Sequence, residues 1–171
     1  AMVAMEPPNA MDADSLRNKK VEVLKAIRRS TPEQAAESAV RGQYRGYHGE
    51  VNVPPDSITP TYAALLLYVD NWRWQRVPFF LRSGKAMTSK VSEVVIQFKS
   101  PPHLLFYPDP DRELNPDTLT LRLQPDEGVH LNFQVKVPDQ GLSMRQVSME
   151  FHYDSAFADQ EVPEAYQRLL Q

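Results

Sequence analysis

The side chains best suited to chemistry in this chain close one short stretch. Residues 77–85 read Val-Pro-Phe-Phe-Leu-Arg-Ser-Gly-Lys, and Lys90 follows five positions later. Apolar mass running straight into glycine and lysine predicts a buried strand that delivers a cation to a rim. Gly84 lets backbone or ligand approach closely, and Lys85 supplies a point charge with three donors on a flexible stem. The pattern is not a phosphate loop. That motif needs G-x-x-x-x-G-K-[ST] after a strand, whereas Phe79 stands where its first glycine would be and Ala86 follows Lys85. On composition alone, the commoner role of such a lysine is a solvated surface charge.

Other chemistry finds little support. The four histidines are His48, His103, His130 and His152, and none has a second histidine or carboxylate at a metal-ligand spacing such as H-x-x-x-H. They read as ordinary polar histidines, and no metal is expected. The absence of cysteine excludes disulfides, thiol catalysis and cysteine-bound zinc. None of the six glycines forms a G-x-G-x-x-G run. Trp72 and Trp74 offer an aromatic platform for bases or sugars, but their apolar flanks favour packing for both. Asp70 and Arg73 are placed to pair and hold the turn between them.

The elements that must position these residues follow from periodicity. Asn9 to Arg29 reads as a helix with Asp12 or Asp14 as N-cap, with Leu16, Val23, Leu24 and Ile27 at helical spacing. Arg28 and Arg29 fall in its last turn. Thr31-Pro32-Glu33 restarts the chain in a turn or short helix. Ala39 to Tyr44 reads as a short strand and residues 45–60 as a long surface loop. Tyr62 to Val69 is apolar throughout, which fits a buried strand or a buried helix. Four later segments alternate with period two: Val94–Lys99, Leu119–Gln124, Val129–Val137 and Val147–Tyr153. Turn residues such as Pro125-Asp126-Glu127-Gly128 link them, so neighbours must run antiparallel. A further helix is expected to begin near Pro163, in its first turn. The fold class is therefore α+β: a large, mainly antiparallel β-sheet with helices packed on one face.

Composition narrows the partners. With 171 residues, 42% hydrophobic and 24% charged, the chain suits one globular domain. A formal net charge of −3 gives no general attraction to nucleic acid or to anionic membranes. No apolar run is long enough to span a bilayer, and the N-terminus lacks the features of a signal peptide. Zero cysteines fit a cytoplasmic protein. Fifteen prolines, separated by apolar strands, suggest stiffened loops rather than disorder.

The stretch TPTYAALLLYVDNWRWQRVPFFLRSGKAM, residues 59–87, closely resembles the C-terminal domain of glucose-6-phosphate dehydrogenase. The Asn-x-Arg-Trp, Val-Pro-Phe and Arg-x-Gly-Lys elements recur there in this order and at this spacing. VAMEPP, LRNKKVEVLKAIR, VRGQY, IQFKSPPHLLF and LRLQPDEGV agree, so that the resemblance covers Val3 to Gln171. It implies that residues 1–171 form a single C-terminal β+α domain, truncated at both ends, and it favours a strand for residues 62–69. It also implies that Lys85 reaches the phosphate of glucose 6-phosphate at a domain boundary. Lys90 would be a second basic substrate contact, and Gln124, in Leu-Gln-Pro, a third residue near the same region.

The resemblance places other parts of the machinery elsewhere. The family's catalytic base is a histidine in an N-terminal half whose motifs have no counterpart here, so no catalytic residue is assigned. NADP would be bound by that N-terminal domain. Some members hold a second, structural NADP in this domain. Arg122 matches that site, but His130, Asn132 and Val91 stand where Tyr, Lys and Lys are found, which argues against it here. Family members pair as homodimers through the sheet, and the polar strand face is then an interface rather than solvated surface. Two other functions remain open: a stand-alone dimerisation module, or a sugar-phosphate-binding regulatory module.

Overall fold

A computed structural model describes residues 1–100, 115–141 and 143–157. The chain divides into two compact units, Ala1–Met87 and Thr88–Gln171.

In the first unit, helix α1 (Ala13–Lys25) is capped by Asp12, whose carboxylate accepts from the amides of Asp14 and Ser15. Hydrogen bonds from Ser15 hold that carboxyl below its ordinary range. The helix stops short of Arg28 and Arg29 because strand-like pairing takes over. Asp70 donates its amide to Ala26, Arg28 donates to Tyr68, and Ile27 bridges Val69. Helix α2 (Pro32–Ser38) begins with a capping box, in which Thr31 and Gln34 exchange side-chain-to-backbone hydrogen bonds. Strands β1 (Ala39–Gly42), β2 (Tyr62–Tyr68) and β3 (Pro78–Gly84) form an antiparallel sheet in the order β1-β2-β3. Residues 62–68 are thus strand, not helix. Between β1 and β2 the chain forms a long loop that carries one turn of 3-10 helix, Tyr47–Gly49.

Ala4, Val23 and Val69 are the buried apolar centre of this unit, with Met5, Ala26, Ile27, Trp74 and Phe79 packed around them. Two expectations fail here. β3 is not a buried strand: Phe80 is 80% and Leu81 56% exposed. It lies at the edge of its sheet, where Pro78 can open a strand without breaking a ladder. Trp72 does not pack, being fully exposed, whereas Trp74 does. Trp74 donates its indole N–H to the Ala4 carbonyl at 2.9 Å and meets Phe79 edge-to-face.

The second unit is a four-stranded antiparallel meander of β4 (Ser92–Gln97), β5 (Thr118–Gln124), β6 (Gly128–Lys136) and β7 (Met144–His152). All four alternating segments are strands. A short helix, α3 (Tyr153–Ala156), follows β7. The register sets Leu119 opposite Leu131 and Leu131 opposite Met149 on one face. On the other face Thr120 opposes His130, and His130 opposes Glu150. The antiparallel α+β class therefore holds, with its strands distributed between sheets of three and four. The helix expected from Pro163 and the loop histidine His103 lie outside the described residues.

Candidate functional site

Lys85 stands one residue beyond the end of β3, and its side chain is exposed. The β2–β3 ladder ends at the Tyr62–Gly84 pair, so Lys85 lies just past it. Its backbone amide nevertheless donates to the Thr61 carbonyl at 2.8 Å. Ala86, the next residue, has φ 52°, a left-handed conformation uncommon for alanine, so the backbone changes course at once. An open cleft of about 380 Å³ is lined by Pro60, Thr61, Tyr62, Ser83, Gly84 and Lys85. A larger opening of about 460 Å³ lies along the β1–β2 loop, beside Arg41, His48 and Asp56. The cleft at Lys85 is the candidate, because it alone of these two is lined by the strand-borne lysine.

Gly84 is needed here for close approach. A Cβ built on it would lie 2.8 Å from the Tyr62 ring and 3.0 Å from the Met87 sulfur. Neighbouring protein, not a ligand, occupies the space the glycine leaves.

Thr61 belongs to the Thr59-Pro60-Thr61 element that opens the resembling stretch, and it ties the end of β1 and the residue beyond β3 to its own segment. Its amide donates to Gly42, its hydroxyl accepts from the Tyr44 amide at 2.9 Å, and its carbonyl accepts from Lys85. The loop ahead of it is tied by Gln43, whose side chain donates to the carbonyls of Ser57 and Thr59. His48 Nε2 sits 3.0 Å from the side-chain Oε1 of Gln43. Tyr44 donates its phenol to Glu50, and burial, followed by that carboxylate, pushes the phenol's pKa up.

The expected Asp70–Arg73 pair does not form. Arg73 makes a two-pronged ion pair with Glu6 at 2.6 and 2.8 Å, and Arg28 does the same with Asp70 at 2.6 and 3.0 Å. The Arg28 guanidinium holds the Asp70 carboxyl below the usual range and also lies over the Tyr68 ring, 5.1 Å from its centre. The turn itself is held by Asn71, whose side-chain oxygen accepts from the Trp74 amide at 2.9 Å.

Lys90 and Gln124 belong to the second unit. Lys90 is exposed, two residues ahead of β4, and Gln124 is exposed at the end of β5, next to Ser92 in register. These two therefore share one end of the β4–β5 ladder. The fold also brings His130 of β6 to Glu150 and His152 of β7. His130 and His152 flank Glu150 at 3.5 and 3.4 Å, their rings meeting edge-to-face. Among the described residues no group of three histidines or carboxylates has the geometry to hold a metal ion. Nor is any described helix long and apolar enough to cross a membrane.

With this geometry in hand, comparison with known proteins is decisive. Residues 1–171 match the family described as glucose-6-phosphate dehydrogenase, C-terminal domain. The chain belongs to that family. The glucose-6-phosphate 1-dehydrogenases of Aggregatibacter actinomycetemcomitans and Chlamydia pneumoniae are each 41% identical to it over 99% of its length. The chain spans 35% of each of those relatives, about a third. Among solved structures, glucose-6-phosphate 1-dehydrogenase from Mycobacterium avium superposes with a TM-score of 0.76 at 42% identity, covering 89% of this chain and 32% of that one. A glucose-6-phosphate dehydrogenase in complex with its substrate glucose 6-phosphate gives a TM-score of 0.84 at 28% identity, covering 99% of this chain and 35% of that one.

Proposed function

We propose that this chain is the substrate-wall and dimerisation domain of a cytoplasmic glucose-6-phosphate dehydrogenase, with both compact units forming one C-terminal domain. The parent reaction is oxidation of glucose 6-phosphate to 6-phosphogluconolactone with NADP+, the entry to the oxidative pentose phosphate pathway. One observation carries the reading. The lysine of the family's Arg-x-Gly-Lys element stands one residue beyond an exposed edge strand, on an open cleft, with its main chain hydrogen-bonded to Thr61. A solvated ammonium on a pinned backbone suits a doubly charged phosphate better than it suits proton transfer.

In this reading Lys85 binds and orients the sugar phosphate, with Lys90 adding charge and Gln124 a neutral hydrogen-bonding contact. Among the described residues His48 lies against Gln43, and His130 and His152 against Glu150. The family's catalytic histidine belongs to motifs with no counterpart here, so the base that deprotonates the C1 hydroxyl is assigned to the length by which the relatives exceed this chain. The coenzyme does not fit these residues either. No glycine here stands in a G-x-G-x-x-G run between a strand and a helix, the arrangement that receives a dinucleotide phosphate.

The polar face of the four-stranded sheet, with Thr118, Thr120, Asn132 and Ser148 beside the His130–Glu150 pair, is proposed to meet a second copy. Mixed polar and apolar surface of this kind is normal for subunit contacts. The purified parent enzyme should form NADPH when given glucose 6-phosphate and sediment as a dimer. A parent protein that binds the sugar phosphate without reducing coenzyme would favour the regulatory-module reading instead.

A further inference from the structure

We propose that Thr61 is a positioning residue for Lys85: its hydroxyl fixes the strand whose carbonyl holds the lysine's main chain. This rests on the reading of Lys85 as the sugar-phosphate contact. Thr61 is the one buried polar residue among those described, at 9% exposure. Its amide, hydroxyl oxygen and carbonyl oxygen are each engaged: the amide with Gly42 at the end of β1, the hydroxyl oxygen with the Tyr44 amide two residues on, and the carbonyl with Lys85 beyond β3. Lys85 sits past the last ladder pair and is followed by a left-handed residue, so no regular pairing holds it from either side. The Thr61 carbonyl is the described contact that sets where the lysine stem begins.

Removing the hydroxyl leaves the Tyr44 amide without its acceptor in a partly buried place. A buried donor left unpaired is relieved by local movement, and that movement reaches Thr61 because its own amide is bonded to Gly42, two residues before Tyr44. The ammonium then samples more positions, which weakens the hold on phosphate without touching the reacting carbon. The consequence is a rise in KM rather than a fall in kcat.

The test uses the full-length dehydrogenase. Thr61→Val should raise KM for glucose 6-phosphate about fivefold, equivalent to ~1 kcal/mol, with kcat and the KM for coenzyme unchanged. Thr61→Ser, which keeps the hydroxyl, should restore KM. In a Lys85→Ala background, Thr61→Val should raise KM no further, since its route runs through the lysine. An unchanged KM in folded Thr61→Val, or an additive effect in the double variant, overturns the proposal. If Thr61→Val does not fold, the smaller Thr61→Ala is read the same way. Independently, the Lys85 amide of the unaltered enzyme should be protected from hydrogen exchange, and free exchange there also overturns it. Should Lys85→Ala itself leave KM unchanged, the substrate reading falls and the inference with it. If Lys85→Ala raises KM while Thr61→Val does not, the inference alone falls.

Discussion

Replacing Gly128 with alanine sets two effects of opposite sign against each other, and the structure decides between them. Gly128 opens β6 and is paired on both sides, with Arg122 on β5 and His152 on β7. Its φ does not lie in the left-handed region, so alanine can adopt the backbone. On that ground alone, Gly→Ala should stabilise by about 0.4–1 kcal/mol through the unfolded chain. The new Cβ, however, would lie 2.5 Å from the Phe151 carbonyl oxygen, roughly 1 Å inside ordinary contact. That oxygen is backbone within the β6–β7 ladder and cannot swing aside as a side-chain tip can. Relief requires the strands to part, and overpacking of this kind costs about 1–3 kcal/mol, with a further ~0.5–1.5 kcal/mol for a ladder hydrogen bond lost. The net expectation is a destabilisation of about 2 kcal/mol, or a fall in Tm of about 4–8 °C for a chain of this size. Thermal unfolding followed by circular dichroism reads it directly. A Tm equal to or above that of the unaltered protein would refute the steric reasoning.

Three further outcomes follow from the same structure. Trp74→Ala should destabilise by about 2 kcal/mol or more, while Trp72→Ala should stay within about 0.5 kcal/mol; equal effects in denaturant titrations would contradict the assignment of packing to Trp74 alone. The carboxyls of Asp12, Glu33 and Asp70 are all held below their ordinary range by hydrogen bonds, led by Ser15, Thr31 and Arg28 respectively. A lowered carboxyl contributes stability above its unfolded pKa and loses it as pH falls through the folded one, so Tm should drop below about pH 4. Asp70→Asn should flatten that drop, and a profile unchanged in steepness counts against the Arg28–Asp70 pair. The polypeptide of residues 1–171 alone should form no NADPH from NADP+ and glucose 6-phosphate above a blank, because it has no G-x-G-x-x-G run and no counterpart of the family's motif around the catalytic histidine.

Much of the second unit could be read from sequence because period-two alternation is a local property. Leu119, Leu121, Val129 and Leu131 announce their faces without knowledge of their partners. A cap at Asp12 or Asp14, which the structure assigns to Asp12, and the restart at Thr31 were legible for the same reason, since each acts on amides within three residues. What escaped were pairings between distant residues. Arg73 is 67 positions from Glu6 and Arg28 is 42 from Asp70, so the nearer Asp70–Arg73 pair was the natural but mistaken choice. The His130–Glu150–His152 cluster depends on the β6–β7 register, which spacing alone does not give. The burial of β3 was overestimated because an apolar run does not reveal whether a strand is central or at an edge. Lys85 is singled out by its family motif, and Thr61 lies in the same stretch of resemblance, but nothing local in the sequence shows that Thr61 bonds the lysine's backbone.

The central claim is that Lys85 holds the sugar phosphate, and kinetics of Lys85→Ala in the full-length dehydrogenase test it most directly. A charge-assisted hydrogen bond is worth roughly 1.5–3 kcal/mol, so kcat/KM for glucose 6-phosphate should fall about 10–100-fold. Most of the loss should lie in KM, with coenzyme affinity in the absence of sugar hardly changed. Lys90→Ala should act in the same direction but more weakly. If folded Lys85→Ala keeps kcat/KM within about twofold of the unaltered enzyme, Lys85 is a solvated surface lysine and the account is contradicted.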